Sequence, residues 1–376
     1  MIQRRALPRQ LHPFSWWSYG LALAAAASLT TNPLVLGGII AVACVVTFAR
    51  RGTSPWAKSF EMYLWLAAFI VVLRVAFRIL FGGGDGPTIV FTLPEVPLPD
   101  WVSGIRLLGP VSLESLLTGL YDGLRLATIV VCVGAANALA NPRKLLASMP
   151  GALYEVGTVI VVAVSTLPQL GESLQRVLRA RSLRRGRTAS GRRRRLRVVE
   201  TIIVPVLSDA LERSLSLAAS MDVRGFGRTG VTTRRARVRS SALALAAMML
   251  LGTWSFRFLA HSPDIDVAGI PLLFTTLLLG GVAAAVAAMR AFGAGVRRTQ
   301  YRPIRWTLDE TLVVASAATV VVALTWIDGQ GDASVLHPAV IPLEWPVLGP
   351  LAAAALGIAT LPAVLTPRPM TVRTAA

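Results

Sequence analysis

Two arginines occupy matched places in this sequence: Arg181 in Ala180-Arg181-Ser182 and Arg224 in Val223-Arg224-Gly225, each at the end of a helical stretch. A guanidinium presents a rigid planar fork of donors that suits a carboxylate in a partner's groove. Taken singly, each end also reads as an ordinary helix stop. An Arg in the last turn favours the helix dipole, and a Gly just beyond it is a common C-terminal signal. The pair is the more informative unit, because both ends repeat one pattern (small or apolar, then Arg, then small) within a single interval.

A second set of ionisable residues lies inside apolar runs, where charge is costly and usually has a partner. Arg74 and Arg78 fall near the end of one run, and Asp122 and Arg125 lie within another. Counted from the same side, Arg74 and Asp122 sit at similar depth, so an Arg74–Asp122 ion pair between helices is the sharper reading. The blander one has Arg78 snorkelling outward and Arg125 lining a polar contact. Other chemistries lack their residues. No Gly-x-x-x-x-Gly-Lys-Ser/Thr occurs, and Gly82-Gly83-Gly84-Asp85-Gly86 has no lysine to hold a phosphate. The chain is therefore expected to bind no cofactor, and any ATP must be hydrolysed by a partner. His12, His261 and His337 are scattered, and Cys44 and Cys132 sit in apolar runs. Neither a metal set nor a disulfide is expected from them.

The elements that carry these residues follow from composition. Of 376 residues, 54% are hydrophobic and 15% charged, where soluble domains carry roughly 25% charged. Mean hydropathy is +0.61. Such a chain cannot cover itself with a water-compatible surface. It carries 38 Lys+Arg against 19 Asp+Glu. A basic balance can mark nucleic-acid binding or the cytoplasmic loops of a membrane protein. Because the arginines lie between apolar runs, the second applies, and no nucleic acid is expected as a partner. No cleavable signal peptide is read at the start.

The fold class is all-α: a polytopic helical membrane protein. A span needs about 20 mostly apolar residues, and about eight candidates occur, at 16–29, 33–48, 60–81, 113–136, 241–258, 270–289, 308–327 and 342–365. The first two are short, joined by a hairpin-like turn at Thr30-Thr31-Asn32-Pro33. Basic residues cluster in alternate loops: Arg4, Arg5 and Arg9; Arg50, Arg51 and Lys58; Arg143 and Lys144; Arg297 and Arg298; Arg368 and Arg373. That alternation places both termini in the cytoplasm of a multi-pass cell-membrane protein. The organisation reads as a four-span bundle over 1–140, a cytoplasmic Arg-rich module over 141–240, spans five and six over 241–290, and a C-terminal extension with two further spans over 291–376.

The module between spans four and five contains two amphipathic helices. The first runs from about 168 to 183, with Leu170, Leu174, Val177 and Leu178 at helical spacing. The second runs from about 196 to 223, with Val199, Ile203, Leu207, Leu211 and Leu215 as its apolar stripe and a kink or break expected at Pro205. Residues 156–167 are apolar but short for a span, as in a buried or interfacial segment. The linker Arg184-Arg185-Gly186-Arg187 with Arg192–Arg195 reads as a solvated loop held near anionic headgroups.

These pieces resemble the T component of energy-coupling factor (ECF) transporters, of the EcfT or cobalt-permease kind. The segments Leu167-Pro168-Gln169-Leu170 to Arg181-Ser182 and Pro205-Val206-Leu207 to Val223-Arg224-Gly225-Phe226-Gly227 look like that family's two coupling helices. Leu11-His12-Pro13, Gly123-Leu124-Arg125-Leu126 and Asn141-Pro142 with Leu145-Leu146 lie in the expected order. The resemblance covers roughly 11–290. It implies a coupling subunit of an ATP-driven vitamin or transition-metal-ion importer, without catalysis of its own. It implies two cytoplasmic ABC ATPase subunits docked at Arg181 and Arg224, and a small substrate-binding membrane subunit (the S component). Two departures stand out: the usual Ala-Arg-Gly triplet reads Ala-Arg-Ser and Val-Arg-Gly here, and the spans after 308 have no counterpart in the family core.

Two other function classes remain to be weighed. A membrane-embedded enzyme, such as a lipid-modifying transferase, needs a compact set of acids or histidines at a membrane face. Here Glu155, Glu172, Glu200, Asp209, Glu212 and Asp222 are dispersed. A self-sufficient secondary transporter calls for inverted repeats or broken helices, and no repeat relates the first four spans to the last four.

Overall fold

The computed structural model describes residues 11–52, 58–81, 86–94, 108–148, 153–183, 192–226, 233–260, 266–267, 270–293, 306–330 and 333–367. The described elements are almost all helical. In order they are α1 (Pro13–Ser28), α2 (Pro33–Arg50), α3 (Ser59–Leu80), β1 (Ile89–Thr92), β2 (Pro110–Ser112), α4 (Leu113–Leu139), α5 (Pro142–Ala147), α6 (Tyr154–Leu183) and α7 (Arg192–Val223). They continue with α8 (Arg234–Leu259), β3 (Asp266–Val267), β4 (Ile270–Pro271), α9 (Leu272–Gly293), α10 (Leu308–Gly329), α11 (Ala333–Leu336), α12 (Pro350–Ala359) and α13 (Pro362–Leu365). The strands form two small antiparallel ribbons, β1 with β2 and β3 with β4.

Among the described residues, six helical stretches are long and apolar enough to cross a membrane: Pro33–Arg50, Ser59–Leu80, Leu113–Leu139, Val156–Ala180, Thr276–Gly293 and Leu308–Gly329. The expected set of eight differs from this in four places. The run 16–29 becomes α1, 16 residues long and short for a span. The run 241–258 lies in α8, which carries Arg234, Arg235, Arg237 and Arg239 at its start and Arg257 at its end. The run 342–365 is not one helix. Pro350 starts a 10-residue α12, and Pro362 starts a 4-residue α13, because proline supplies no N–H for the preceding turn. Residues 156–167 are not a separate short segment; they form the first part of the 30-residue α6, which continues through Pro168. Likewise α7 is one helix through Pro205, so of the expected kink or break there is no break.

The chain divides into two compact units, Met1–Leu145 with Arg302–Ala376, and Leu146–Tyr301. In the first, α1 and α2 are opened by side-chain caps followed by proline. The His12 ring accepts from the Phe14 N–H and Asn32 Oδ1 from the Leu34 N–H, at 3.3 and 2.9 Å. Each cap satisfies an amide that the first turn leaves without a partner, and Pro33 fits the first helical position. Tyr19 and Leu23 of α1, Leu36 and Ile39 of α2, and Ala317 and Leu324 of α10 are buried in one core. The segment after 306 is thus part of the bundle. It also binds the α1–α2 turn directly. Thr30 Oγ1 donates to Leu336 O (2.7 Å), and the amides of Thr31 and Asn32 donate to the same carbonyl. Asn32 Nδ2 donates to Val335 O and Val347 O at 2.7 and 2.8 Å. Tyr19 Oη donates to Ala359 O (2.7 Å), and the His12 amide to Glu310 Oε1 (3.2 Å).

Helix α4 packs against α1, α2 and α3. Its glycines make this possible. A Cβ on Gly119 would lie 2.7 Å from Arg78 Cγ, one on Gly123 3.1 Å from Arg74 Cβ, and one on Gly134 2.5 Å from Tyr63. Small residues four apart let helix backbones approach closely within a bilayer.

In the second unit, α6 pairs with α7 and α8 with α9. Ala247, Ala288, Ser173 and Ser240 are buried there, while Leu207, Leu211 and Leu215 of the expected α7 stripe are all exposed.

Candidate functional site

Both arginine motifs lie at the C-terminal ends of long helices. Arg181 is in the last turn of α6; its side chain lies outside the described residues. Arg224 follows the last residue of α7 and is exposed. The α7 end is a glycine cap. Gly225 takes φ 76°, and the amides of Phe226 and Gly225 donate back to Met221 O (3.0 Å) and Asp222 O (2.8 Å). Glycine adopts that left-handed conformation without the strain a Cβ would add. The glycine cap thus stands one residue beyond Arg224. Each helix end also carries a bare apolar side chain: Leu183 is 88% exposed and Val223 89%.

Asp209 of α7 ties the two helices together. Its carboxylate accepts from Ser173 Oγ of α6 at 2.6 Å and from Arg213 at 2.8 Å, with Arg176 of α6 at 3.8 Å. The Ser173 hydroxyl, helped by Arg213 and Arg176, holds this carboxyl below its usual range, against an opposing effect of desolvation. The i,i+4 spacing of Asp209 and Arg213 is visible in the sequence. Ser173, 36 residues away, left no local signal of its part.

In the first unit, the ionisable residues of α3 and α4 do come together, with a different pairing from the expected Arg74–Asp122. The carboxylate of Asp122 lies 3.9 Å from Arg78 Nη2. Helical side chains lean toward their own N-terminus. In this antiparallel pair, Asp122 therefore leans toward the level of Gly119, where Arg78 crosses, and Arg74 leans away. Counting depth along the sequence ignores that lean. Arg74 lines the same cavity, about 360 Å³, with Phe77, Arg78, Phe81, Gly119 and Asp122. Arg125 does not join them; its guanidinium donates to Ser28 O of α1.

Among the described residues, no group of three or more His, Cys, Asp or Glu is placed to hold a metal ion. Cys132 is buried and Cys44 half-buried, both as free thiols.

A protein-family model described as CbiQ, cobalt transport protein, matches residues 15–236. The chain is also similar to the energy-coupling factor transporter transmembrane protein EcfT of Leuconostoc gelidum subsp. gasicomitatum. The two are 25% identical over 207 residues, covering 48% of this chain and 75% of that protein. The matched residues 15–236 include α6 and α7.

Proposed function

The chain belongs to the CbiQ cobalt transport protein family, and from that premise we propose that the ends of α6 and α7 are where two cytoplasmic ABC ATPase subunits dock. The protein is a membrane-embedded T component of an energy-coupling factor transporter. Family membership disfavours both the membrane-enzyme and the secondary-transporter readings.

In the proposed arrangement, Ala180-Arg181-Ser182 engages one ATPase and Val223-Arg224-Gly225 the other. The observation that carries it is the pair of helix ends, where Leu183, two residues past Arg181, and Val223, just before Arg224, are almost wholly bare. An apolar contact beside a charge-assisted guanidinium bond matches the anatomy of a binding hot spot. Asp209 fixes one helix against the other, so that motion at one end is passed on. The chain hydrolyses nothing itself; the partners supply ATP hydrolysis. A separate S component carries the vitamin or transition-metal ion. Both termini and the linker at 184–191 face the cytoplasm, as the alternating loop charge requires.

The test is the number of ATPase subunits retained per T component after affinity purification, with substrate-stimulated ATP hydrolysis alongside. Each of Arg181→Ala and Arg224→Ala weakens assembly, by about 2–5 kcal/mol for a desolvated charge pair truncated on one side. The double variant loses both subunits and still inserts in the membrane. Arg→Lys also impairs, because the planar fork is lost. Full retention by the double variant overturns the docking assignment. A topology reporter near Arg187 that reads outside overturns the orientation.

A further inference from the structure

We propose that the cavity at the α3–α4 crossing binds the phosphate of an anionic phospholipid. Its charge points to the ligand. Arg74 and Arg78 line it with one carboxylate, Asp122, which lies beside Arg78. The ion pair leaves one positive charge over, within apolar spans where an isolated charge is costly. Among the described residues, Arg74 has no carboxylate partner. One negative charge completes the site. A phosphodiester carries one; free phosphate, closer to a dianion, would over-neutralise it.

The geometry agrees. Arg74 lies six residues before the end of α3, about 9 Å along the helix axis, within reach of a headgroup. Arg78, one turn on, places a second guanidinium on the same face, and guanidinium forks bind phosphate oxygens in a bidentate way. Gly119 keeps the floor open, since a Cβ there would collide with Arg78 Cγ at 2.7 Å. The cavity, about 360 Å³, accepts more than a phosphate and takes the start of a glycerol backbone. Its apolar wall is Phe77 and Phe81, stacked at 5.3 Å and both about half exposed. Beyond it the outer face of α3 is bare, with only 6% of its apolar stretch buried, so acyl chains have a surface to lie along. A free ion would leave that wall wet.

The experiment uses the purified full chain, delipidated in neutral detergent. It is titrated with phosphatidylglycerol, with phosphatidylcholine of the same acyl chains, and with inorganic phosphate. Retained lipids are counted by native mass spectrometry. Because the basic linker also attracts anionic lipid, the reading is the difference between variants. Wild type retains one phosphatidylglycerol more than Arg74→Gln, whose affinity for that lipid falls about fivefold. Asp122→Asn removes the opposing charge and tightens the same lipid, a gain that structural damage does not produce. This second arm decides the matter if Arg74→Gln fails to fold. Equal retention by Arg74→Gln, no tightening in Asp122→Asn, or equal binding of phosphatidylcholine overturns the proposal. So does inorganic phosphate that occupies the site as well as the lipid does. A carboxylate of a partner helix crosslinked at Arg74 in the assembled complex, with no lipid retained, overturns it in favour of a protein contact.

Discussion

The bundle of α1, α2, α4 and α10 and the paired helices α6 and α7 place their apolar residues in opposite ways. In α2, α4 and α10, 39% of each apolar stretch is buried inside the protein; in Val156–Ala180 of α6 the share is 11%. The bundle also closes its polar groups internally. Thr30 and Asn32 are fully buried and bonded to the segment 335–347. In the α6–α7 pair, Leu207, Leu211 and Leu215 stay bare, and a polar cluster around Asp209 joins the two helices to each other. Substitutions in the bundle should therefore register as lost stability, and those at the helix ends as lost assembly.

The sharpest break in that contrast is Asn32→Ala. It removes a helix cap and two donors to partly buried carbonyls, leaving groups that each cost up to about 1–3 kcal/mol unpaired. A loss of roughly 3–5 kcal/mol is expected in detergent melts. Leu183→Ser with Val223→Ser should leave the melt unchanged and reduce ATPase retention; a comparable drop in melting would erase the distinction. Next comes a matched glycine pair. Gly20→Ala places a Cβ 2.7 Å from Ala136 Cβ and 2.8 Å from Cys132 O, and overpacking of this kind costs about 1–3 kcal/mol. In α6, Gly171 has nothing within 4 Å of its Cβ position, so Gly171→Ala should stabilise by up to about 1 kcal/mol through helix propensity. Two melting curves moving the same way would contradict this.

A smaller effect is expected from pH. Desolvation lowers the pKa of His12, with Glu310 opposing. The unfolded chain therefore takes up the proton first, near pH 6.5. Stability from His12 is present above that value and is lost as pH falls through it toward the lower folded value. The ring nitrogen that caps α1 at Phe14 can no longer accept once protonated. Melting of wild type should drop between pH 7 and 5 more than that of His12→Asn, which keeps a cap; parallel curves would refute the assignment. The smallest change is local. Asp209→Asn should widen the distance between spin labels at 172 and 210 without moving the melt. Its depressed pKa predicts that wild type shows the same widening only below the usual carboxylate range. An unchanged distance would remove Asp209 as the tie.

Helices built on long apolar runs were legible in the sequence. The runs 33–48, 60–81, 113–136 and 308–327 fall on α2, α3, α4 and α10 to within three residues at either end. The segment 342–365 misled because summed hydropathy takes no account of Pro350 and Pro362, which each restart the helix. The intramembrane pair was expected on Arg74 and lies on Arg78, one turn on, since residue counting gives depth and not the lean of a side chain. The Asn32 contacts were not legible at all. Their partners lie 303 and 315 residues away, and a backbone carbonyl has no sequence signature. The matched arginines were singled out by their places at two helix ends and by the order of weak motifs; the exposure of Leu183 and Val223 needed coordinates.

The hold of residues 335–347 on the α1–α2 turn also sets a schedule for making the protein. Thr30 and its acceptor Leu336 are 306 residues apart. At synthesis rates of about 5–20 residues per second, the ribosome needs roughly 15–60 s to bring the second after the first. For that interval the first hairpin out has a polar turn whose acceptors do not yet exist. Water at the interface, or an insertion factor, must stand in for Leu336 and Val347, and the earliest helices become the last to be locked.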